Sequence, residues 1–454
     1  MIFKRIIGKR LEEWKKKKNA KRKPLIIRGA RQVGKTTLVK EFAKSYQYSI
    51  LLNLEKSSDI AYFNNYDEVK PIVESLLLSR NISVSSISKT LLFIDEIQES
   101  PKAIQMLRYF YEEFPDLHVI AAGSLLEFAM RKVKSFPVGR VEYIYLHPLN
   151  FAEYLAAINH QAALEQLNRI PHESFAHKVL LELFNQYAIV GGMPEAVTNF
   201  IEKDSLTELP GIYESIWGTY KNDVEKYASN ETERKVIKHV MSTAHLYVDQ
   251  RIKFQNFGQS NYRSREVGEA IRNLDAAKII QLIYPTTDVE IPVKPDLRKS
   301  PRLQFLDTGL INYELGIQAE MMSFTDLNNL YKGAIIPHLI MQELISLNTL
   351  NYKKPHFWIR EKKQSSSEVD LVFAYRDKVI PIEIKSGSVG TLKSLHQFVE
   401  RSNHPYAIRI YAREFNVLKT KTPGGKPYLL MNTPYYLGTK IPEYIEYFVA
   451  NYQL

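Results

Sequence analysis

Eight residues limit what this 454-residue chain can fold into: Gly29-Ala30-Arg31-Gln32-Val33-Gly34-Lys35-Thr36, which fit the pattern G-x-x-x-x-G-K-[ST]. The apolar run Pro24-Leu25-Ile26-Ile27 before them reads as a buried strand, and Thr36–Phe42 after them as a helix. Strand, glycine-rich loop and helix in that order turn backbone N–H groups and the positive helix end toward one point, where phosphate oxygens bind. In that geometry Lys35 reaches the β- and γ-phosphates and Thr36 sets a hydroxyl on Mg²⁺. Gly29 to Thr37 are then the binding residues for a nucleoside triphosphate, expected to be ATP. The plainer alternative is a glycine-rich turn before an ordinary helix.

A second segment supports the nucleotide reading. Leu91-Leu92-Phe93-Ile94 is apolar and runs into Asp95-Glu96, sixty positions beyond Lys35. Asp95 is the candidate for the Mg²⁺ shell, and Glu96 for orienting or deprotonating the attacking water. Taken alone, the run is a buried strand whose carboxylates open a loop. With the phosphate loop upstream, Glu96 argues for hydrolysis and not binding alone.

Alternating strand and helix patterns extend to about residue 155, in the doubly wound manner of an α/β domain. Strands are expected over Leu25–Arg28, Ser49–Leu54, Leu91–Asp95, His118–Ala122 and Val141–Leu146. Helices are expected near Thr36–Tyr46, Asp67–Ser79 and Lys102–Phe114, and Asn81–Lys89 reads as a loop. Ser124 follows the fourth strand at the expected ligand edge. It is a candidate to sense the γ-phosphate or position water, and equally a cap for the helix after it.

Residues 156–230 read as a helical connector, broken at Gly191-Gly192-Met193-Pro194. Over 231–325 a helical unit is followed by short strands at Ile279–Tyr284 and Gln304–Leu306. That order suggests a winged helix, which enters a DNA groove or serves as plain packing. From 326 to 454 the pattern changes again. Tyr331–Leu350 is helical with Pro337 as an interruption, and Glu368–Ala374 and Val379–Lys385 form a hairpin around Tyr375–Lys378. Asp370, Glu383 and Lys385 on that hairpin resemble the core of PD-(D/E)XK nucleases, where two acids hold Mg²⁺ and a lysine orients water.

The composition, 45% hydrophobic and 24% charged, is that of a water-soluble globular chain. No run reaches the roughly 20 apolar residues of a membrane span, so no membrane association is expected. The N-terminus has no apolar signal core, and with the need for nucleotide a cytoplasmic location is expected. There is no cysteine, and the eleven histidines have no zinc-site spacing. The net charge of +11 favours anionic partners such as nucleic acid. Much of it is local, in Lys15-Lys16-Lys17-Lys18 and Lys21-Arg22-Lys23, which read as a solvated face or a DNA contact.

Further segments extend the series: Ile94-Asp95-Glu96-Ile97-Gln98, Ala122-Gly123-Ser124, Val138-Gly139-Arg140, Pro148-Leu149-Asn150-Phe151-Ala152-Glu153 and Gly191-Gly192-Met193-Pro194-Glu195. Farther on come Leu306-Asp307-Thr308-Gly309-Leu310, Gln342-Glu343-Leu344, Glu368-Val369-Asp370 and Ile382-Glu383-Ile384-Lys385-Ser386-Gly387. In this order they resemble a prokaryotic family of AAA-type P-loop ATPases with a C-terminal nuclease-like domain. The resemblance implies a P-loop NTPase sheet, then a helical and winged-helix region, then a nuclease-like α/β domain. It makes Arg140 a candidate phosphate-sensing or finger arginine, with a surface salt bridge as the rival. One departure stands out: alignment from Lys332-Gly333 to Gln342-Glu343 puts Pro337 where nuclease-fold relatives carry a glutamate. That loss weakens metal coordination, and the proline is expected to disturb the helix.

The leading expectation is a Mg²⁺-dependent ATPase coupled to a C-terminal module that binds nucleic acid or a partner. The alternatives are an ATP-regulated DNA endonuclease using Asp370, Glu383 and Lys385, and a nucleotide-controlled switch acting through protein contacts. A second copy of the chain is a further candidate partner.

Overall fold

The apolar runs of the N-terminal third pair into a parallel sheet. The computed structural model describes residues 2–18, 22–124, 126–132, 137, 139–317, 333–350, 353–362, 365–385 and 392–454. Two units divide the chain: Met1–His147 with Ala276–Lys278 and Asn348–Tyr352, and the remainder. In the first unit the strands are β1 (Leu25–Arg28), β2 (Tyr48–Asn53), β3 (Thr90–Asp95), β4 (His118–Ala122) and β5 (Glu142–Tyr145). Their spatial order is β2-β3-β4-β1-β5, and every neighbouring pair is parallel. β3 and β4 are buried along their whole length, which is why their sequences are apolar on both faces. β2 lies at the edge and has exposed as well as buried positions.

Helices Lys35–Ala43, Val69–Ser79 and Pro101–Glu113 connect these strands. Ser100 caps the last of them, its Oγ accepting from the Ala103 N–H at 3.1 Å, and Pro101 fits a first turn that needs no N–H from it. Ile72 and Leu76 of the second helix and Leu107 and Phe110 of the third pack in one cluster with Leu92 and Ile94 of β3. Each such side chain contributes about 1.5–3 kcal/mol when fully buried. Because the strands are parallel, β1, β3 and β4 deliver Gly29, Asp95 and Gly123 to the same edge of the sheet.

β1 and β4 match the strands expected from the sequence to the residue, and the ends of β2, β3 and β5 differ by one. The helix after the phosphate loop ends at Ala43 and not Tyr46. Within Asn81–Lys89, read as loop, Val84–Lys89 winds into a 3₁₀ helix whose first N–H groups are met by Ser83.

The second unit begins with helices, including Phe151–Ala157, His177–Val190, Pro194–Lys203, Leu209–Tyr227, Glu231–Thr243 and Ser264–Ala276. An antiparallel pair follows, β6 (Ile280–Ile283) with β8 (Arg302–Phe305), and between them lies the two-residue β7 (Pro285–Thr286). The remaining strands are β9 (His356–Lys362), β10 (Ser365–Tyr375), β11 (Lys378–Ile384), β12 (Tyr406–Tyr411), β13 (Asn416–Lys421) and β14 (Pro427–Pro434). They join β7 in a mixed sheet ordered β13-β14-β12-β11-β10-β9-β7.

Pro337 corrects an expectation. The helix runs Ile335–Ser346, so the proline is its third residue and interrupts nothing. A proline in the first turn gives up an N–H that has no intrahelical acceptor in any case. Tyr331 and Lys332, assigned to the same helix from sequence, lie outside the described residues, as do Val138, Ser386 and Gly387.

Four of the segments that carry the family resemblance meet in one buried polar network. Asp307 accepts from Gly192 N at 2.6 Å, Gly309 N at 2.9 Å and Gln342 Nε2 at 3.2 Å, and the Tyr213 hydroxyl lies 3.0 Å from it. Glu343 accepts from the Tyr187 hydroxyl at 2.9 Å and from Phe151 N at 3.1 Å. Burial raises both carboxyls, Asp307 to about 6 and Glu343 to about 8. The network supplies buried backbone donors with acceptors, which accounts for these residues structurally.

Candidate nucleotide site

The phosphate loop leaves β1 at Gly29 and enters its helix through Gly34, whose φ of 94° falls in the left-handed region that glycine tolerates. Lys35 is buried, and its Nζ donates to the carbonyls of Ala30 at 2.7 Å and Gly29 at 3.1 Å. Burial lowers its pKa to about 8, against the opposing pull of Glu96 and Asp95. Thr36 Oγ1 donates to Asp95 Oδ2 at 2.7 Å, so the loop hydroxyl and the acid ending β3 form one unit. Burial raises the Asp95 carboxyl, and the Thr36 hydrogen bond opposes the shift. The other Asp95 oxygen accepts from Glu96 N at 3.2 Å.

Gln32 and Glu96 have φ of 61° and 50°, conformations that side chains bearing a Cβ rarely adopt. Such outliers cluster where the surrounding structure holds a residue for a purpose. Ser124 is buried just beyond β4, where Arg31 Nε donates to its Oγ at 3.3 Å. Arg31 also lies 3.6 Å from Glu55. Ala30, Val33 and Thr37 belong to the same loop and first helical turn. The residues brought together are therefore Gly29 to Thr37, Asp95, Glu96 and Ser124.

Arg140 is placed differently. Its Nε pairs with Glu112 at 2.9 Å, with 42% of the side chain exposed, and its guanidinium lies 6.0 Å from the Tyr111 ring. The basic run upstream is partly absorbed by the fold. Lys17 pairs with Glu142 at 2.6 Å, Lys15 sits 4.2 Å over the Tyr46 ring, and buried Arg22 donates to Lys17 O at 2.8 Å. Lys16 and Lys18 are left exposed.

Sequence reasoning missed Gln98, whose Nε2 donates to Glu96 Oε2 at 2.5 Å. Its place two residues after Glu96 was the available signal. Thr36 and Asp95 are hard oxygen donors, and they fit Mg²⁺ that takes its other ligands from phosphate and water.

In the second unit, Asp370 and Glu383 stand one step beyond the antiparallel pair Leu371↔Ile382, as the hairpin reading requires. A third group, absent from that reading, lies among them. Arg302 donates to Glu368 through Nε at 2.8 Å and pairs with Asp249 at 2.9 Å and Asp370 at 3.4 Å. Burial alone would lower its pKa, but Asp249, Asp370 and Glu368 together raise it. Asp370 Oδ2 accepts from Ile384 N at 2.8 Å, and Lys385 Nζ pairs with Glu383 Oε1 at 2.5 Å. Burial and the neighbouring Asp370 raise the Glu383 carboxyl. Pro337 lines the same cavity as Arg302, Asp370 and Ile384. Arg302 and Lys385 thus already pair with these carboxylates, so a metal at this hairpin would have to compete with both. Among the described residues, no three His, Cys, Asp or Glu side chains form a metal-holding group.

The AAA domain family model matches residues 21–155. Residues 181–321 and 332–423 match two domains of unknown function, DUF8612 and DUF4143. No curated protein matches the chain. Among solved structures it is similar to AMPPCP-bound DnaA from Aquifex aeolicus, at 11% identity over 60% of this chain and 86% of that chain, TM-score 0.24. It is similar to the S. cerevisiae Hsp104–ADP complex, at 14% identity over 61% of this chain and 39% of that one, TM-score 0.28. A third is a signal-transduction ATPase with numerous domains (STAND) and a tetratricopeptide-repeat sensor, from Pyrococcus horikoshii. It shares 12% identity over 72% of this chain and 43% of that one, TM-score 0.25. The chain thus spans less than half the length of the last two. No helix among the described residues is long and apolar enough to cross a membrane. Strand order, loop and family match agree: residues 21–155 have the architecture and sequence of an AAA-type P-loop domain, which supports nucleotide binding.

Proposed function

We propose that the chain binds ATP with Mg²⁺ and hydrolyses it to ADP and phosphate. The observation that carries this reading is the 2.7 Å contact of Thr36 with Asp95 at the strand edge bearing the loop. Thr36 and Asp95 would hold Mg²⁺, which neutralises charge on the β- and γ-phosphate oxygens. Lys35, now on the loop carbonyls, turns to the phosphates together with the backbone N–H groups of Gly29 to Thr37. Glu96 takes a proton from water as the new O–P bond forms and the bond to the β–γ bridging oxygen breaks. Ser124, held by Arg31, supplies a hydroxyl toward the γ-phosphate. Arg140 would act on the phosphate only after leaving Glu112.

The rest of the proposal concerns the module beyond the AAA-type domain. Its partition is a helical connector over 156–230, a winged-helix-like region over 231–325 and a nuclease-like domain over 326–454. It binds nucleic acid or a protein partner and couples that contact to hydrolysis. The pairing of Arg302 with three acids speaks against cleavage by Asp370, Glu383 and Lys385.

The test measures ATP binding and phosphate release by the full chain, with and without duplex and single-stranded DNA over a range of salt. Lys35→Ala should weaken ATP binding about 10–100-fold, the scale of a hydrogen bond to a charged group. DNA stimulation that falls steeply with salt supports a nucleic-acid partner. Turnover indifferent to DNA moves the module toward a protein partner. A Lys35→Ala chain with unchanged ATP affinity removes the loop from the proposal.

A further inference from the structure

Glu96 opens a short 3₁₀ turn, Ile97–Glu99, and its side chain meets Gln98 on that turn. A carboxylate only accepts hydrogen bonds, so the Gln98 amide must offer its nitrogen there. This fixes the amide orientation and sends Oε1 the other way. Oε1 is buried and has no hydrogen-bond partner among the described residues. It packs against Gly123 at the end of β4, where an added Cβ would stand 2.3 Å from it. That approach is far inside van der Waals contact, and the obstacle is the end of one side chain that is already committed to Glu96. Gly123 therefore leaves the space that the Gln98 amide fills. Three chain positions on two strand ends depend on one another: Glu96, Gln98 and Gly123.

We propose that Gln98 is a positioning residue for ATP hydrolysis, holding the Glu96 carboxylate in the orientation that receives the proton of water, and that Gly123 is glycine to admit it. The inference rests on Glu96 acting as the base, as argued above. Gln98 acts through Glu96, so its removal reduces turnover and leaves ATP affinity intact. Misplacing a catalytic group by about 1 Å costs roughly 10²-fold in rate.

The experiment is phosphate release by the full chain at saturating ATP and Mg²⁺, with ATP binding and thermal unfolding recorded beside it. The variants are Gln98→Ala, Gly123→Ala and the double substitution. Gln98→Ala should lower kcat roughly 10²-fold with KM changed less than about threefold. Gly123→Ala should lower kcat comparably, because its Cβ displaces the amide. In the Gln98→Ala background the same glycine change should cost less than about twofold, since the colliding atom is gone. If Gly123→Ala fails to fold, Gln98→Ala decides alone. Wild-type turnover by Gln98→Ala, or an equal glycine penalty in both backgrounds, overturns the proposal. A wild-type chain that binds ATP and never hydrolyses it overturns hydrolysis itself.

Discussion

At the end of β3, Asp95 and Glu96 have a hydroxyl, a backbone N–H and an amide as partners, and no ion pair among the described residues. On β10, Glu368 and Asp370 share the guanidinium of Arg302 with Asp249. Both places gather acids on strands beside a lysine, and both fit a short motif for Mg²⁺ chemistry. They differ in where the compensating cation comes from. The first centre keeps Lys35 on loop carbonyls and Arg31 on Ser124, and neither pairs with its acids among the described residues. The second has a cation in the chain, Arg302, already paired with three of its acids. A pair of acids and a lysine in sequence therefore reports a strand geometry, and the third partner decides the chemistry.

The sharpest way to break this contrast is Arg302→Ala. Removing one partner of a buried charge cluster leaves the others uncompensated, at a cost of about 3–5 kcal/mol. Thermal or denaturant unfolding should register a loss of that size, and a loss under about 1 kcal/mol would mean that the acids do not depend on Arg302. The same contrast predicts that the wild-type chain leaves plasmid and linear DNA intact in Mg²⁺ or Mn²⁺, with or without ATP. Cleavage abolished by Asp370→Ala would restore the endonuclease reading.

Arg140 carries a smaller expected effect. Its pair with Glu112 is exposed and screened by solvent, so Arg140→Ala should slow phosphate release only a few fold. A finger arginine would cost on the order of 10³–10⁵. A loss of that size, with turnover steep in protein concentration, would assign Arg140 to the site of a second copy.

The smallest effect is a slope. Burial holds the Glu343 carboxyl up at about 8, above its ordinary value near 4.3. Its neutral form is favoured in the fold, so this contribution is full below the ordinary value and is lost as pH rises to about 8. Glu343→Gln should flatten the fall of unfolding temperature between pH 5 and 8. An unchanged slope would show that Glu343 is not the group titrating there.

Contiguous features were legible in the sequence. The loop Gly29 to Thr36, the strand into Asp95 and the hairpin of β10 with β11 each lie within a few residues, where periodicity and turn chemistry act. Strand ends shifted by a residue because terminal pairing depends on neighbours that the local pattern does not contain. Arg302 could not be read, since 66 and 68 positions separate it from Glu368 and Asp370. Pro337 was visible as a helix breaker, but its effect depends on where the helix starts, and Ile335 begins it only two residues earlier. Gln98 was within reach of sequence, yet its packing against Gly123, just past the end of β4, was not.

Steady-state phosphate release by wild type and Glu96→Gln, with ATP binding measured on the same samples, tests the central claim most directly. Turnover by the wild-type chain is predicted to fall about 10²–10⁴-fold in Glu96→Gln, the range of a lost general base, while ATP affinity is retained. Wild-type turnover from Glu96→Gln would contradict the account.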